Sequence, residues 1–137
     1  MAKVIAKVTQ DKLVPFEMQV FGRKIEFSKT HDKALITNFT ELFERELGYV
    51  DYVNICRYFK IIILEDVPIL FEDNTDLATR FINFIDNAYF NKVLLYMSLA
   101  TEPAKLYMKG KRLVEFNRTI SRLYEMNSKN YLEIIYE

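Results

Sequence analysis

Two arginines, Arg118 and Arg122, are the strongest candidates in this sequence for contact with an anion. They stand four positions apart in a segment with helical periodicity, so both side chains project from one face of the helix. Paired guanidinium groups suit a phosphate or a carboxylate, because each planar group donates two parallel hydrogen bonds. The alternative is a salt-bridged helix surface with Glu115 and Glu125 as partners. Arg80, in an earlier predicted helix, is a weaker candidate of the same kind.

Other chemistries are limited by residue counts. The chain has three glycines, Gly22, Gly48 and Gly110, so neither a dinucleotide-binding turn nor a phosphate-binding P-loop can be assembled from it. Cys56 is the only cysteine and His31 the only histidine, too few for a zinc site or a Cys/His catalytic pair. Cys56 lies on an apolar helical stripe and is predicted to be a buried structural thiol. His31 is predicted to lie in a loop.

One acidic pair invites comparison with a magnesium site. The segment IIILED, Ile61 to Asp66, has the strand-plus-acid pattern with which many nucleotide hydrolases hold magnesium. Without a phosphate loop beside it, a carboxylate at a strand end in a polar loop is the favoured interpretation of Glu65 and Asp66. We therefore predict no metal ligands, and a small independent enzyme is the least supported class of function.

Composition indicates one globular domain, residues 1–137. The chain has 137 residues, 19 Lys and Arg against 19 Asp and Glu, and 50% hydrophobic residues. This hydrophobicity excludes intrinsic disorder, and the balanced charge argues against a dedicated nucleic-acid or membrane-surface binder. The sequence shows neither a signal peptide nor an apolar run of membrane-spanning length, so we expect a cytoplasmic protein without an integral membrane segment.

The charges are unevenly distributed along the chain. Residues 41–86 carry four Lys and Arg against ten Asp and Glu, whereas the window from Lys105 to Arg122 carries six basic residues against Glu115 alone. This basic window could face an acidic partner, another subunit or a phosphate. The favoured alternative is a solvated surface. The first option defines one functional hypothesis, a free-standing adaptor that binds a protein through the surface from Lys105 to Arg122.

The periodicity of apolar residues predicts an α/β fold whose first 30 residues are β structure and contain a β-hairpin. Phe16 to Phe21 alternates, Gly22 supplies a turn and Ile25 to Phe27 resumes the alternation. The next predicted segments are a polar loop from Lys29 to Lys33, a strand at Ala34 to Ile36, a helix capped by Asn38 and ended by Gly48, and a helix from Asp51 to Tyr58.

The second half predicts a βαβ unit followed by helices. A strand at Ile61 to Leu64, a helix from Thr75 to Phe90 and a strand at Val93 to Met97 have the order of two parallel strands with a crossover helix. The loop between the first strand and this helix is predicted from Glu65 to Asn74. A short helix with Pro103 in its first turn, a break at Gly110 and a helix from Glu115 to Asn127 complete the chain. The result is a small, mostly parallel sheet with flanking helices and a helical C-terminus.

Several strings in the second half also resemble a known family. The longest runs from Phe116 to Met126 and has the form F-x-R-T-x-S-R-L-x-E-M. With the segments around Arg80 to Tyr89, Val93 to Ser98 and Leu106 to Leu113, it resembles the C-terminal region of the AFG-one-like (ZapE-type) P-loop ATPases. The resemblance covers roughly residues 20 to 132. The chain departs from the family pattern at Thr79, Asn87 and Ala88, which weakens the expectation of an acidic role near Asp86.

The resemblance implies a function that the residues alone do not. Family members are P-loop ATPases that use ATP and magnesium, and their phosphate loop and magnesium acid lie upstream of the resembling region. It therefore implies a C-terminal domain that does not hydrolyse ATP alone, needs no cofactor itself, and couples an upstream ATPase core to an oligomer or a partner. In bacterial cell division that partner would be FtsZ, at the cytoplasmic periphery of the inner membrane. It also implies nucleotide-sensing or interface roles for Arg80, Arg118 and Arg122.

Overall fold

The computed structural model describes residues 1–10 and 12–136. The helices are α1 (Ala2–Thr9), α2 (Phe39–Phe43), α3 (Tyr49–Tyr58), α4 (Thr75–Phe90) and α5 (Leu113–Ser128). The strands are β1 (Val14–Val20), β2 (Arg23–His31), β3 (Ala34–Asn38), β4 (Ile61–Val67), β5 (Leu94–Leu99) and β6 (Leu132–Tyr136). A 3-10 turn covers Pro103–Lys105.

The strands form one six-stranded sheet in the order β1-β2-β3-β4-β5-β6. The first two pairings are antiparallel and the last three are parallel. The predicted α/β class is confirmed, as are the N-terminal hairpin and the βαβ unit of β4, α4 and β5. Each parallel pair needs a crossover, because a tight turn can join only antiparallel strands.

The two central strands are buried as their apolar runs predict. Ile62, Ile63 and Leu64 of β4 are all fully buried, although adjacent residues on a strand point to opposite faces of the sheet. Leu95 and Met97 of β5 are equally inaccessible. A strand covered on both faces requires continuous apolar sequence rather than alternation. Among the described residues, no helix combines the length and the apolar character needed to cross a bilayer.

Two predicted loops are shorter in the structure. The loop predicted from Lys29 to Lys33 is wrong at its start, because β2 continues to His31: Thr30 pairs with Leu35, and its hydroxyl donates to the Val14 carbonyl at 2.9 Å. Because this hydrogen bond satisfies the Thr30 hydroxyl, the polar side chain can be buried within the sheet. The loop predicted from Glu65 likewise begins only after β4 ends at Val67.

Gly48 begins a helix rather than ending one. Helix α2 stops at Phe43, and Gly48 is the N-cap of α3, in extended backbone with its N–H donating to Asp51 Oδ2 at 2.7 Å. The predicted cap at Asn38 is confirmed, since its Oδ1 accepts the Glu41 N–H at 2.8 Å. A glycine between two short helices is compatible with either end, and the carboxylate of Asp51 selects the N-terminal one.

The structure differs from the sequence-based prediction at both ends of the chain. The prediction of β structure for the first 30 residues is wrong at Ala2–Thr9, which form helix α1 and pack on β3, because so short a segment shows no convincing helical period. Strand β6 follows the predicted C-terminal helix, which is confirmed as α5, and pairs with β5 in parallel. Its short apolar run forms a strand because the backbone groups at this edge of β5 would otherwise lack partners. The Leu95 N–H, for example, donates to the Tyr131 carbonyl at 2.8 Å.

Gly110 provides a test of the segment before α5. Its φ is +143° and a Cβ there would overlap the Tyr107 ring, with the Tyr107 Cζ at 2.7 Å. We expect Gly110→Ala to lower the free energy of unfolding by about 2–4 kcal/mol, measured by urea denaturation. Gly48→Ala is the matched control, because Gly48 has negative φ and the nearest atom would be 3.9 Å from the new Cβ. Equal losses for the two variants would contradict this account.

Candidate functional site on helix α5

Helix α5 carries the candidate arginines and begins at a strained turn. Arg112 is its N-cap with φ of 64°, a left-handed conformation uncommon for a residue with a side chain. The Arg112 guanidinium pairs with Glu115 at 3.0 Å and reaches Thr79 Oγ1 of α4 at 3.5 Å. Glu115 lies in the first turn, where a negative charge is favoured by the helix dipole. These contacts fix the start of α5 against α4.

The inner face of α5 determines which way the arginines point. Its buried residues recur at helical spacing and pack in the main core, which orients the helix about its axis: Phe116, Thr119, Ile120, Leu123 and Met126. Phe116 stacks on Phe81 of α4, with ring centroids 5.7 Å apart. The opposite face, which carries Arg118, therefore lies at the surface.

Arg122 is held by α4. Its Nη1 lies 2.7 Å from Asp86 Oδ1, and its guanidinium sits over the Tyr89 ring at 5.7 Å from the centroid. The fully buried Thr119 places its hydroxyl 3.3 Å from the same carboxylate oxygen. Asp86 thus compensates the charge of Arg122 and accepts a hydrogen bond from the Thr119 hydroxyl. This arrangement joins α4 and α5.

Arg118 has a different environment from Arg122. It is exposed, and within the described part of the chain it has neither an ion pair nor a side-chain hydrogen bond. The predicted partners serve other residues, since Glu115 pairs with Arg112 and Glu125 with Lys129 at 3.0 Å. The two arginines therefore do not form one guanidinium pair: one is compensated and the other is available.

Arg80 is not brought to the other two arginines. Its Nη1 donates to the Phe43 carbonyl at 2.9 Å, at the C-terminal end of α2. A carbonyl in the last turn of a helix has no partner within that helix, and a guanidinium satisfies it. The contact joins α2 to α4, six residues along α4 from Asp86.

A second polar cluster lies beside Arg122. The side chain of Glu125 is hydrogen-bonded to Tyr89 and to Lys129, which lowers the pKa of the Glu125 carboxyl below its ordinary value. The same bond to Glu125 raises the pKa of the Tyr89 hydroxyl, and it is Glu125 again that raises the pKa of the Lys129 ammonium. Glu125 therefore links Lys129 to Tyr89, whose ring lies under the Arg122 guanidinium.

The basic window from Lys105 to Arg122 is less basic at the surface than its residue count suggests. Four of its six cations are ion-paired, namely Lys105 with Glu102, Lys109 with Glu72, Arg112 with Glu115 and Arg122 with Asp86. Of the six, Lys111 and Arg118 have no acidic partner among the described residues. Exposed pairs of this kind are screened by salt and leave little net field.

The remaining candidates are placed as follows. Cys56 is fully buried beside the Phe84 carbonyl, and this burial raises the pKa of its thiol, which confirms a structural thiol. His31 ends β2 rather than lying in a loop, with Nδ1 2.9 Å from the Lys12 carbonyl. Glu65 lies within β4, and the Asp66 N–H donates to Ser98 Oγ at 2.8 Å. Residues 1–10 and 12–136 contain no group of three His, Cys, Asp or Glu residues placed to hold a metal ion.

Sequence reasoning missed the residue on which Arg122 depends. Asp86 lies 36 positions before Arg122, so no local spacing connects them. The available signal was its position on α4, directly after Ile85, at the edge of the stripe that packs inward. Thr119, a polar residue in line with Phe116 and Leu123, gave a similar signal on α5. Polar residues at such boundaries face the neighbouring helix.

Comparison with known proteins places the chain in a family. The sequence profile of the AFG1-like ATPase family matches residues 2–134. Lactation elevated protein 1 homolog B of Danio rerio is 30% identical over 149 aligned residues, which cover 85% of this chain and 30% of that protein. Cell division protein ZapE of Escherichia coli K12 is 29% identical over 116 residues, covering 85% of this chain and 31% of ZapE. No solved structure matches the chain.

The chain belongs to the AFG1-like ATPase family, because the family profile matches nearly its whole length. It spans about a third of the length of the curated relatives it matches. The string from Phe116 to Met126, which carries the resemblance, lies in α5 and contains both the exposed Arg118 and the ion-paired Arg122.

A double-mutant cycle distinguishes the two arginines. We expect Asp86→Ala to cost about 1–2 kcal/mol of unfolding free energy and its coupling to Arg122→Ala to be about 0.5–1 kcal/mol. The coupling should fall at high salt, because both side chains are partly exposed. The matched control Arg118→Ala should stay within about 0.5 kcal/mol of the parent. A larger loss from Arg118→Ala than from Arg122→Ala would contradict the assignment.

Proposed function

We propose that this chain acts as a non-catalytic C-terminal domain of an AFG1-like ATPase, which couples the nucleotide state of an ATPase core to a subunit or partner contact. The observation that carries the proposal is the outer face of α5, where Arg118 is exposed without a partner in the described chain. That face belongs to the segment with the strongest family resemblance. Arg118 is proposed to make the contact and Arg122 to hold the helix in position.

The surroundings of Arg118 support a protein contact. Val114 and Tyr124, which flank it on α5, are 70% and 50% exposed. Val114 lies four residues before Arg118 and shares its helix face, whereas Tyr124, six residues after Arg118, lies about 120° further round the helix. Arginine and tyrosine are enriched in the energetically dominant parts of protein interfaces, because each offers both apolar area and directed hydrogen bonds. We call Val114 and Arg118 the α5 face.

The residues of this chain do not fit a complete ATP and magnesium site. Its three glycines cannot form a P-loop, and no group of three potential metal ligands occurs in the described residues. The proposal therefore assigns ATP and magnesium to the core of a full-length family protein. A nucleotide-sensing role is proposed for Arg118 within such an assembly, because Arg80 and Arg122 are already engaged by protein groups.

The partner and the site of action are proposed by family alone. One relative is named a cell division protein, which supports a role in division for this chain, with FtsZ as the proposed bacterial partner in the cytoplasm at the inner membrane. The alternative, a free-standing adaptor using the surface from Lys105 to Arg122, is less favoured. Four of the six cations on that surface are already paired within the chain.

The first test concerns catalysis by the chain alone. We expect the purified protein to release no phosphate from ATP above the background of buffer, with or without added magnesium. The physical reason is that no segment of it can cradle the transferred phosphate. A colorimetric phosphate assay at high protein concentration provides the measurement. Turnover that persists through repeated purification and is lost on denaturation would overturn the non-catalytic assignment.

The second test concerns coupling through the α5 face. In a chimera of E. coli ZapE whose matching segment is replaced by this chain, we expect Arg118→Glu to lower ATP turnover at least about tenfold, the equivalent of 1.4 kcal/mol. Ser121→Ala, an exposed substitution on the same helix, is the matched control and should leave turnover unchanged. Parent-level turnover in a correctly folded Arg118→Glu chimera would refute the coupling role.

A further inference from the structure

Strand β1 forms one edge of the sheet and leaves backbone groups without partners. It pairs with β2 alone, so one side of the strand meets no other strand of the sheet. Among the described residues, the backbone from Pro15 to Val20 is hydrogen-bonded by no element other than β2. The outer side of β1 can therefore pair with an added strand.

The hairpin turn determines which backbone groups face that outer side. Phe21 and Gly22 form a two-residue turn, and both have positive φ, 48° and 78°, as type I′ hairpin turns require. The pair of residues that flanks such a turn is hydrogen-bonded, and from there hydrogen-bonded and non-hydrogen-bonded pairs alternate along the hairpin. Gln19 and Glu17 therefore belong to the pairs whose N–H and C=O groups point away from β2.

The opposite strand agrees with this alternation. Glu26 of β2 pairs with Glu17, and its carbonyl points away from β1, where it accepts Arg45 Nη1 at 2.8 Å. Pro15, near the start of β1, has no N–H and limits the length of an added ladder. The available edge is therefore short, with the N–H groups of Glu17 and Gln19 as its donors. We call these two residues the β1 edge.

The two faces of β1 differ in character. Met18 and Val20 are buried and Phe16 is half-buried, stacked on the Tyr58 ring with centroids 4.8 Å apart. Glu17, which alternates with them, is exposed on the other face of the strand. An added strand continues both faces of the sheet, because directly opposite residues project to the same side. It therefore needs apolar side chains beside Phe16 and Met18 and a polar one beside Glu17.

A cavity of about 560 Å³ next to the β1 edge determines the charge of that polar side chain. Its lining carries three carboxylates, from Glu17, Glu26 and Glu41, and one guanidinium, from Arg45. Glu17 and Glu26 stand directly opposite each other on the hairpin, an arrangement that is unfavourable for like charges. A cation between the added strand and this cavity would relieve the repulsion.

The chain compensates these carboxylates only in part. Glu17 pairs with Lys24 at 3.3 Å, but both side chains are exposed and such pairs are weak. Arg45 donates to the backbone carbonyls of Glu41 and Glu26 rather than to their carboxylates. Glu41 accepts hydrogen bonds from neutral hydroxyl groups, and neither it nor Glu26 has an ion pair within residues 1–10 and 12–136. The lining thus keeps a net negative charge even with Lys24 included.

We propose that the β1 edge binds an extended segment of another protein in which a lysine or arginine is flanked by apolar residues. The unpaired N–H and C=O groups select a polypeptide, because only a backbone offers donors and acceptors at the matching spacing. The basic residue lies beside Glu17 and projects over the acidic cavity, while its neighbours extend the apolar face of Phe16 and Met18. The contact uses no residue of the α5 face and goes beyond the proposed coupling role.

Isothermal titration calorimetry with a synthetic peptide tests this proposal. The probe is the acetylated and amidated peptide Thr-Val-Lys-Val-Lys-Val-Thr, whose β-branched residues favour an extended chain. We expect saturable binding of one peptide per chain that weakens with added salt. A peptide with glutamate in place of both lysines should bind at least about tenfold more weakly. So should a peptide methylated on the backbone nitrogens of both lysines, which keeps its charge but loses two donors.

Variants of the protein separate the backbone contribution from the charge contribution. Gln19→Pro removes an outward N–H that the hairpin does not use, so it should leave the fold intact and weaken peptide binding at least about fivefold. Gln19→Ala keeps that N–H and is the matched control. Glu26→Gln should weaken binding about two- to fivefold, the range of an exposed ion pair. Glu133→Gln, an exposed change on β6 at the other edge of the sheet, should have no effect. Circular dichroism establishes that each variant is folded.

Amide hydrogen exchange of the parent protein gives a readout that needs no substitution. The peptide should slow exchange of the Glu17 and Gln19 N–H groups, while exchange of Leu132–Tyr136 on β6 stays unchanged. Absence of binding at millimolar peptide would overturn the proposal, as would equal binding of the glutamate or methylated peptide, or protection of β6 instead of β1. Arg118→Glu should bind the peptide like the parent. A loss of binding in that variant would refute a site separate from the α5 face.

Discussion

The burial of helix α4 is the constraint on which the rest of this structure depends. Its apolar stripe, with Phe81, Phe84 and Ile85 fully inaccessible, is part of the core that also contains the central strands. The helix packs against both α3 and α5. Rotation of α4 by a fraction of a turn would expose this stripe, and burying each such side chain contributes roughly 1.5–3 kcal/mol. The orientation of α4 is therefore fixed by the hydrophobic effect.

The polar contacts of the molecule follow from that orientation. With the stripe facing inward, Arg80 is directed to the end of α2 and Asp86 to α5, so one helix provides a guanidinium to one neighbour and a carboxylate to another. This accounts for the different states of the two candidate arginines. Arg122 is compensated because it faces α4, whereas Arg118, one turn earlier, faces solvent. Arg122 thus contacts α4 through Asp86, whereas Arg118 has no ion pair among the described residues.

Helix α4 also separates two exposed surfaces of the described chain. The loop before α4 exposes Phe71 and Asp73. At the C-terminal end of α4, Phe90 and Arg57 line one groove.

The sequence by itself determined the fold class, the buried strands, α4 and the family, because each depends on local periodicity or on a contiguous string. IIIL at Ile61 to Leu64 and the apolar stripe of Thr75 to Phe90 are readable without knowledge of any neighbour. Strand β6, the role of Gly48 and the pairing of Arg122 with Asp86 were decided only by tertiary structure. Each depends on a group distant in sequence or on a choice between two local possibilities, and backbone pairing and charge compensation act across space rather than along the chain.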